Sequence, residues 1–537
     1  MIVPRWVYPS KADYTAQESI FLDRLYDYPA RHWPGKCAIR DGKKQYTFAA
    51  LQEKTRALSA MLIRKGLKKG DRVLVVAEKC AEMAIIGAAI WKAGAVYVPV
   101  DPANPPGRNE YLLRSIEPSL IISPRTFDTR TRFGGLTIPV ITFDEAVNVP
   151  VSLAEEETVF PEIADGDLAY IMHTSGSTGH PKGVMIEHGS VADYFYNHNR
   201  VLRFTDQSYC LSNAPFYFDV SIEDTFLPLS VGAAVYQYRG MHISALFLNL
   251  LSSEKITHLI AVSTVLTLIT GDGQQLRKAD LANLEMVMTG AEVCDVKILN
   301  LWKELLPHVR LINVYGPTET TIVCTAYTIN GSDHGRNEFY PIGRQLENVV
   351  AVLMDDDNTP ITTAGKRGML WIGGRQVMRG YWKDPSLSRK VLAQYKGQPF
   401  YKTGDVCYYD DLGELIFCGR NDEEIKLNGR RINLAEIKRV MLQVEGVRVV
   451  SAGLINVNTK AALAAVAYSD SIRDTNELSA VRDIMIGQLP LYMVPEYFGL
   501  INDPLLLPTG KSDDKRAIEL LQKEVDRVQR PFMKIVG

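Results

Sequence analysis

The chain has 537 residues, of which 46% are hydrophobic and 23% are charged, and its formal net charge is −2. This length excludes a single small binding module, and the apolar content is typical of a folded protein rather than a disordered one. The charges of both signs are mixed along the chain, which argues against a nucleic-acid or membrane surface and favours a small-molecule partner.

The cysteines and the N-terminus indicate a protein of a reducing compartment. The seven cysteines are odd in number and include no C-x-x-C pair, so reduced thiols fit better than a disulfide framework or a zinc site. The first twenty residues carry charges and prolines where a signal peptide needs an uninterrupted apolar stretch. Lys92 interrupts the longest candidate membrane segment, residues 83–100. We therefore expect a cytoplasmic enzyme.

The first two thirds of the chain predict alternating strands and helices. A buried helix over residues 81–93 separates the first two predicted strands, and this βαβ pattern is typical of a parallel sheet. The predicted strands cover residues 72–76, 96–100, 168–172, 257–262, 284–288 and 311–314. The last four are each followed by a loop containing Gly or Ser. Ligands bind at the carboxyl ends of parallel strands, so we expect the site there.

The last third of the chain has a different pattern. After about residue 345, short strands such as 369–372 and 414–417 alternate with glycine turns, which predicts a β-rich subdomain. From Asn421 onward the chain is charged, and then helix-like and strand-like segments alternate. A domain boundary is predicted near Asp422.

The sharpest local feature is the loop at residues 174–183, with the sequence TSGSTGHPKG. Its glycines, hydroxyl side chains and single lysine provide the N–H, O–H and ammonium donors that polyphosphate oxygens accept. It is not a P-loop, because Pro181 stands where the second glycine is required. A Gly/Ser loop alone is more often a surface linker, so the phosphate-binding prediction depends on the whole string.

With this loop, the chain resembles the adenylate-forming superfamily of acyl-CoA synthetases, peptide-synthetase adenylation domains and luciferases. Further motifs follow in the family's order over residues 20–515: GDR at 70–72, YGPTETT at 315–321, YKTGD at 401–405, GRND at 419–422 and PTGK at 508–511. The resemblance implies an α/β fold. Residues 1–421 would form a large N-terminal domain with two stacked, mostly parallel α/β sheet subdomains and a β-rich subdomain. Residues 422–537 would form a small, mobile α+β domain.

The resemblance also implies the reaction. A carboxylate attacks the α-phosphate of ATP, pyrophosphate leaves, and a thiol then takes the acyl group from the adenylate. Such a reaction requires mainly charge neutralisation and positioning. The catalytic residues implied are Lys511, Thr178, Lys182 and Glu319, with Glu319 holding Mg²⁺.

The family's ATP contacts can be placed on this chain. Tyr315 would stack on adenine with Asn313 at its amino group, and Asp405 would bind the ribose hydroxyls with help from Arg420. The full set implied for ATP is Thr174, Ser175, Gly176, Ser177, Gly179, Gly290, Ala291, Glu292, Asn313, Tyr315, Gly316, Thr318, Asp405, Phe417 and Arg420.

The C-terminal domain would rotate between the two half-reactions. The resemblance implies that Asp422 is the hinge and that Lys426 and Gly429 line the thiol tunnel. The sequence departs from the family here: residues 428–433 read NGRRIN, where the family usually has Arg-Gly-x-Arg-Ile-Glu.

Asp219, in the segment FYFDVS at residues 216–221, resembles the peptide-synthetase branch, in which an aspartate pairs with the α-ammonium of an amino acid. A buried carboxylate without such a cation costs several kcal/mol, so Asp219 favours an α-amino acid substrate. The alternative is that Asp219 caps a turn.

The remaining pocket positions predict a narrow apolar slot and a small substrate. By alignment of motifs they are Val220, Glu223, Ile260, Val287, Thr289, Val314, Ile322 and Val323. Together with Asp219 and Lys511 they form the predicted substrate-binding set. Glu223 has two interpretations. It pairs with a second cation, as in pockets for ornithine or lysine, or it is protonated or hydrogen-bonded and shapes the wall. L-proline is the preferred substrate and a short diamino acid the next.

The sequence lacks a condensation motif, and the stretch after Lys511 is too short for a carrier domain. We therefore expect a free-standing adenylation enzyme of natural-product biosynthesis that uses the phosphopantetheine thiol of a separate carrier protein, with coenzyme A as the other possible acceptor. An acyl-CoA synthetase for a small acid is the nearest alternative, and Asp219 argues against it. Aminoacyl-tRNA synthetase signatures are absent. A silent nucleotide-binding protein that regulates a partner is the alternative of another class, and the catalytic residues argue against it.

Overall fold

The computed structural model describes residues 21–124, 138–150, 152, 158–175, 180–336, 339–420, 424–458, 460–469, 472, 474–505, 513–528 and 530–535. Its strands are β1 (Cys37–Asp41), β2 (Lys44–Thr47), β3 (Arg72–Val76), β4 (Val96–Val100), β5 (Leu120–Ser123), β6 (Val140–Thr142), β7 (Leu168–Thr174), β8 (Lys182–Glu187), β9 (Tyr209–Ser212), β10 (Ala234–Gln237), β11 (His258–Val262), β12 (Met286–Gly290), β13 (Arg310–Tyr315), β14 (Thr325–Ile329), β15 (Arg344–Gln345), β16 (Val349–Met354), β17 (Pro360–Ile361), β18 (Gly368–Gly374), β19 (Gly380–Tyr381), β20 (Leu392–Tyr395), β21 (Gln398–Tyr409), β22 (Leu415–Arg420), β23 (Glu424–Leu427), β24 (Arg430–Asn433), β25 (Val447–Val457), β26 (Lys460–Ser469), β27 (Tyr497–Ile501) and β28 (Phe532–Ile535).

The helices are α1 (Asp27–His32), α2 (Phe48–Arg64), α3 (Glu82–Lys92), α4 (Pro106–Ile116), α5 (Phe143–Val147), α6 (His188–Leu202), α7 (Leu227–Ser230), α8 (Ser244–Ser253), α9 (Ser263–Thr270), α10 (Gln274–Lys278), α11 (Val296–Leu305), α12 (Pro385–Val391), α13 (Leu434–Met441), α14 (Thr475–Ile486) and α15 (Asp514–Val528). A turn of π-helix, Ile222–Phe226, leads into α7, and 3₁₀ turns occur at Leu22–Arg24, Thr318–Thr320 and Leu491–Met493.

The first sheet has the strand order β15-β14-β13-β12-β11-β9-β10-β1-β2. Its six inner strands, from β13 to β1, are parallel, and the pairings β1–β2, β13–β14 and β14–β15 are antiparallel. All five residues of β12 are buried, which is typical of a parallel strand covered on both faces.

The second sheet has the order β19-β8-β7-β4-β3-β5-β6, and its strands from β7 to β6 are parallel. The predicted strands at 72–76 and 96–100 are confirmed as β3 and β4, and the predicted helix between them as α3. They are recognisable because burial on both faces leaves an uninterrupted apolar run.

The two sheets stack through helices that share one apolar core. The rings of Trp91 on α3 and Phe226 beside α7 are edge-to-face, with centroids 4.8 Å apart. Gly87 makes this approach possible, because a Cβ there would lie 2.8 Å from the ring of Phe226. The expectation of two stacked, mostly parallel sheets is confirmed.

The later part of the chain is built around antiparallel strands. The third sheet has the order β17-β16-β18-β21-β20, with β22 paired to β21, and all its pairings are antiparallel. Beyond it, β23 and β24 form a hairpin, and β25-β26-β27-β28 form a separate sheet. That sheet packs with α13 and α14 on one core and with α15 on another. The predicted boundary residue, Asp422, lies outside the described residues.

None of the helices in the described part of the chain combines the length and the apolar character of a membrane span.

Candidate active site

Two adjoining cavities of about 1010 and 750 Å³ open at the carboxyl ends of β11, β12 and β13. The third sheet contributes Asp405 and Arg420 to both cavities. The hairpin β23–β24 closes them from the other side with Lys426 and Asn428. The site therefore lies at the edge of the parallel sheet where ligands are expected.

The larger cavity contains the predicted adenine and ribose contacts. It is lined by Asn313, Tyr315, Asp405, Phe417 and Arg420. Arg420 Nη1 donates to Asp405 Oδ1 at 2.7 Å, and the hydroxyl of Tyr315 donates to the other oxygen of Asp405. These two donors fix the carboxylate at the cavity wall, where it can accept from hydroxyl groups.

The loop after β12 also lies at the two cavities. Gly290 and Ala291 line the smaller cavity, and Ala291 and Glu292 line the larger one. A Cβ at Gly290 would lie 2.6 Å from the carbonyl oxygen of Val314, so only glycine permits this close approach of β12 to β13. Ala291 follows with φ of +67°, so the chain turns sharply here beside the cavities.

A buried charge network lies at the predicted phosphate end of the site. Arg431 Nη1 donates to both carboxylate oxygens of Glu319, at 2.9 and 2.8 Å, and the hydroxyl of Tyr381 donates to Oε1 at 2.7 Å. Lys182 Nζ lies 3.5 Å from Glu319 and 3.3 Å from Glu424. Burial opposes the ionised form of Glu319, but Arg431 and Lys182 outweigh it and hold the pKa of this carboxyl well below its usual value.

Several predicted residues lie outside the described part of the chain. They are Gly176, Ser177, Thr178, Gly179, Asp422 and Lys511. The described residues next to the phosphate loop do lie at the site: Thr174 and Ser175 line the smaller cavity. The hydroxyl of Thr174 is buried without a hydrogen-bond partner among the described residues, and that of Ser175 donates to the carbonyl of Arg431 at 2.9 Å.

Asp219 lies in the wall of the smaller cavity, at the N-terminus of the helical segment that leads into α7. Its carbonyl accepts from the N–H of Ile222 at 2.9 Å. Burial raises the pKa of its carboxyl to about 6, and the charges of Glu319 and Glu223 act in the same direction. Hydrogen bonds from Thr318 and from the Val220 N–H lower the pKa but do not compensate. A cation bound beside it would therefore stabilise the ionised carboxylate.

Glu223, one helical turn beyond Asp219, is fully buried in the wall of the same cavity. Its Oε1 accepts from the hydroxyl of Tyr194 at 2.6 Å and lies 2.6 Å from Nδ1 of His198. Both of these side chains come from α6. Among the described residues, Oε2 has no hydrogen-bond partner.

The hairpin residues Lys426 and Gly429 also lie at the site. Lys426 Nζ is 5.5 Å from the ring centroid of Tyr315, and burial lowers the pKa of this lysine while Asp405 raises it. Gly429 has φ of +71°, and a Cβ there would lie 3.0 Å from Val262. A larger residue would therefore push the hairpin away from the cavity.

A family model described as "AMP-binding enzyme" matches residues 26–382. The chain belongs to this family of AMP-binding enzymes. It is 32% identical over 509 residues to a linear gramicidin synthase of Brevibacillus parabrevis, covering 93% of this chain and 6% of that protein. It is 30% identical over 502 residues to tyrocidine synthase 1 of the same organism, covering 92% and 44%. The chain thus spans less than half of either relative.

The fold of this AMP-binding enzyme is shared by solved structures. An artificially fused adenylation-PCP di-domain from Klebsiella oxytoca matches with a TM-score of 0.77 at 23% identity, covering 89% of this chain and 93% of that one. A double mutant of the o-succinylbenzoate CoA synthetase from Bacillus subtilis matches with a TM-score of 0.81 at 19% identity, covering 95% and 99%. At these identities the likeness concerns the fold.

In this AMP-binding enzyme, two of the positions that line the pocket differ from those expected. Val220, Ile260, Val314, Ile322 and Val323 line the smaller cavity as predicted. The prediction for β12 is wrong by one residue, because successive side chains of a strand point to opposite faces. Met288 and Gly290 line the cavity. Val287 packs in the core on the other face of the sheet, and the hydroxyl of Thr289 lies 3.3 Å from that of Ser263.

Four residues that contact Glu223 or Glu319 were not predicted from the sequence: Tyr194, His198, Tyr381 and Arg431. Tyr194 and His198 are four residues apart, so they lie on one face of α6. That spacing is equally typical of an ordinary amphipathic helix, and it does not identify a contact with Glu223. The only signal for Arg431 is the doubled arginine within the segment that departs from the family pattern.

Proposed function

We propose that this protein activates a small α-amino acid as its aminoacyl-AMP and then transfers the aminoacyl group to the phosphopantetheine thiol of a carrier protein. The observation that carries this proposal is the position of Asp219 in the cavity next to the predicted nucleotide site. A carboxylate held there with a raised pKa is suited to an ammonium group.

The neighbouring residues support the first half-reaction. Asp405 would accept hydrogen bonds from the ribose, and Tyr315 with Phe417 would enclose the base. Thr318 lines the smaller cavity beside Asp219, which puts it where the reacting carboxylate and the α-phosphate would meet. Lys182 would neutralise charge on the outer phosphates, a role that in-line displacement at phosphorus requires.

Glu319 has the chemistry expected of a Mg²⁺ ligand. Its carboxylate is buried and ionised, and Mg²⁺ is commonly held by one or two carboxylates together with substrate phosphates. The metal would neutralise phosphate charge when bound. Arg431 now holds both oxygens of Glu319, so metal binding would require the hairpin to withdraw.

The carrier-protein step is supported by the relatives and by the hairpin. The matched peptide synthases are much longer than this chain, and one similar structure is an adenylation-PCP di-domain. Lys426 and Gly429 border the cavities on the hairpin side, where an incoming thiol would have to enter.

The experiment is amino-acid-dependent exchange of pyrophosphate into ATP, followed by loading of a phosphopantetheinylated carrier. We expect exchange with an α-amino acid and none with its desamino analogue. An acyl-CoA synthetase is the second candidate, because the o-succinylbenzoate CoA synthetase shares the fold. Exchange with desamino acids and thioester formation with coenzyme A would favour that candidate.

A further inference from the structure

The carboxylate of Glu223 is fixed in place and yet incompletely satisfied. Its side chain is fully buried, and its Oε1 accepts from the hydroxyl of Tyr194 at 2.6 Å and lies 2.6 Å from Nδ1 of His198, both residues of α6. Its Oε2 has no hydrogen-bond partner within the described residues. A buried carboxylate oxygen without a donor is costly, so the site calls for a further donor.

His198 does not supply the missing positive charge. Its Nδ1 lies 2.6 Å from Oε1 of Glu223 and 2.6 Å from the hydroxyl of Tyr194, whereas its Nε2 is buried without a hydrogen-bond partner among the described residues. A charged imidazole ring would bury its Nε2–H without an acceptor among the described residues, so the geometry does not favour an ion pair between His198 and Glu223.

We propose that the substrate is an α-amino acid with a short cationic side chain, in which Asp219 binds the α-ammonium and Glu223, positioned by Tyr194 and His198, binds the side-chain ammonium. This inference rests on the proposed function and narrows its substrate class. It favours a diamino acid over L-proline, because proline has no side-chain donor for Glu223 and would leave Oε2 unpaired.

The spacing of the two carboxylates limits the side chain. Asp219 and Glu223 are four residues apart where the helical segment begins, and both line the smaller cavity. A side chain with about two or three methylene groups, as in 2,4-diaminobutyrate or ornithine, would let its two ammonium groups reach both carboxylates. The walls between them, which include Ile260, Met288 and Val314, suit the methylene groups.

The test is pyrophosphate exchange by the full chain with L-ornithine and L-2,4-diaminobutyrate, each against its uncharged isostere, L-norleucine or L-norvaline, and against L-proline. We expect kcat/KM for a diamino acid to exceed that of its isostere by roughly 100-fold or more, because a site built for a donor rejects the analogue that lacks it. Glu223→Gln should reduce that ratio at least tenfold. Tyr194→Phe should reduce the ratio of diamino acid to isostere less than Glu223→Gln does.

Asp219→Asn is the matched control, since it should impair diamino acids and isosteres alike. Exchange that is best with L-proline or an isostere would overturn this inference and leave the proposed function intact. A diamino preference that survives Glu223→Gln would also overturn it. If Glu223→Gln does not fold, the wild-type ratios alone decide. Exchange with no amino acid at all would overturn the proposed function and this inference together.

Discussion

Arg431 donates to both carboxylate oxygens of Glu319, at 2.9 and 2.8 Å, across 112 positions of the chain. Both side chains are largely buried, exposed by 13% and 0%. The pair therefore ties the β23–β24 hairpin to the loop after β13 at the predicted phosphate end of the site. Because Glu319 is also the predicted Mg²⁺ ligand, the hairpin and the metal would compete for one carboxylate.

Removing one partner of this pair should cost more stability than removing both. Among the described residues, Arg431→Gln leaves the buried Glu319 with Lys182 and Tyr381 as partners, and we expect the free energy of unfolding to fall by about 2–4 kcal/mol. The double variant Glu319→Gln/Arg431→Gln should be destabilised less than the sum of the single variants. Urea unfolding of the wild type, the two single variants and the double variant measures the coupling energy between Glu319 and Arg431. Additive changes would show that the pair contributes nothing beyond its separate residues.

The pH dependence of this coupling follows from the pKa of Glu319, which lies below its usual value of 4.5. A lowered pKa contributes stability that is complete above the unfolded value and is lost as the pH falls toward the folded one. The coupling should therefore be constant from pH 6 to 8 and decline below about pH 4.5.

The contribution of Asp219 to stability has the opposite pH dependence. Its pKa is raised to about 6 by burial, so ionisation destabilises the free protein as the pH rises from about 4 to 6. Asp219→Asn should therefore increase the free energy of unfolding at pH 8 by roughly 1–3 kcal/mol, since one pKa unit corresponds to about 1.4 kcal/mol. At pH 4 and below the two proteins should be equally stable. A variant that is less stable than wild type at pH 8 would contradict the assignment.

The same raised pKa predicts how substrate binding depends on pH. The substrate ammonium requires an ionised Asp219, so kcat/KM for the amino acid should fall as the pH drops below about 6. The affinity for ATP should not follow this profile, because the predicted ribose contacts are Asp405 and Arg420 and not Asp219. Measuring kcat/KM for the amino acid and the affinity for ATP in parallel between pH 5 and 8 tests whether only the first depends on the ionisation of Asp219.

Asp405 is predicted to act on the nucleotide alone. Asp405→Ala removes the carboxylate that Tyr315 and Arg420 hold, and we expect ATP to bind about 10- to 100-fold more weakly. Calorimetric titration with ATP measures this change. Binding of the amino acid should change little, and an equal loss for both ligands would indicate a structural defect.

Lys511 lies outside the described residues, and its role remains a prediction. We expect Lys511→Ala to slow adenylate formation by about 100-fold or more, while transfer from preformed adenylate to the thiol stays largely intact. Single-turnover measurements of each half-reaction test this. Equal damage to both steps would contradict rotation of the lysine away from the site.

The sequence predicts strands better than it predicts which way their side chains point. After Arg72, the residues of β3 and all of β4 form apolar runs because both faces of these strands are buried, and the prediction located both strands correctly. For the same reason β12 gives no alternation of apolar and polar residues, so nothing in the sequence marks which face lines the cavity. The prediction chose Val287, whereas Met288 lines the cavity.

Contacts between distant elements were the other part that the sequence could not supply. Glu223 was predicted as a pocket residue, but its polar neighbours Tyr194 and His198 come from α6 and belong to no motif. The departure from the family pattern at Asn433 has a local explanation in the structure. Its side chain accepts from the N–H of Ala435 at 2.9 Å and caps α13.

The most direct measurement for amino-acid adenylation is the rate of pyrophosphate exchange into ATP with matched acids that differ only in the α-amino group. The proposed role of Asp219 predicts exchange with the amino acid, none with the desamino acid, and loss of exchange in Asp219→Ala with ATP affinity unchanged. Equal exchange with both acids, or an Asp219→Ala variant as active as wild type, would contradict it.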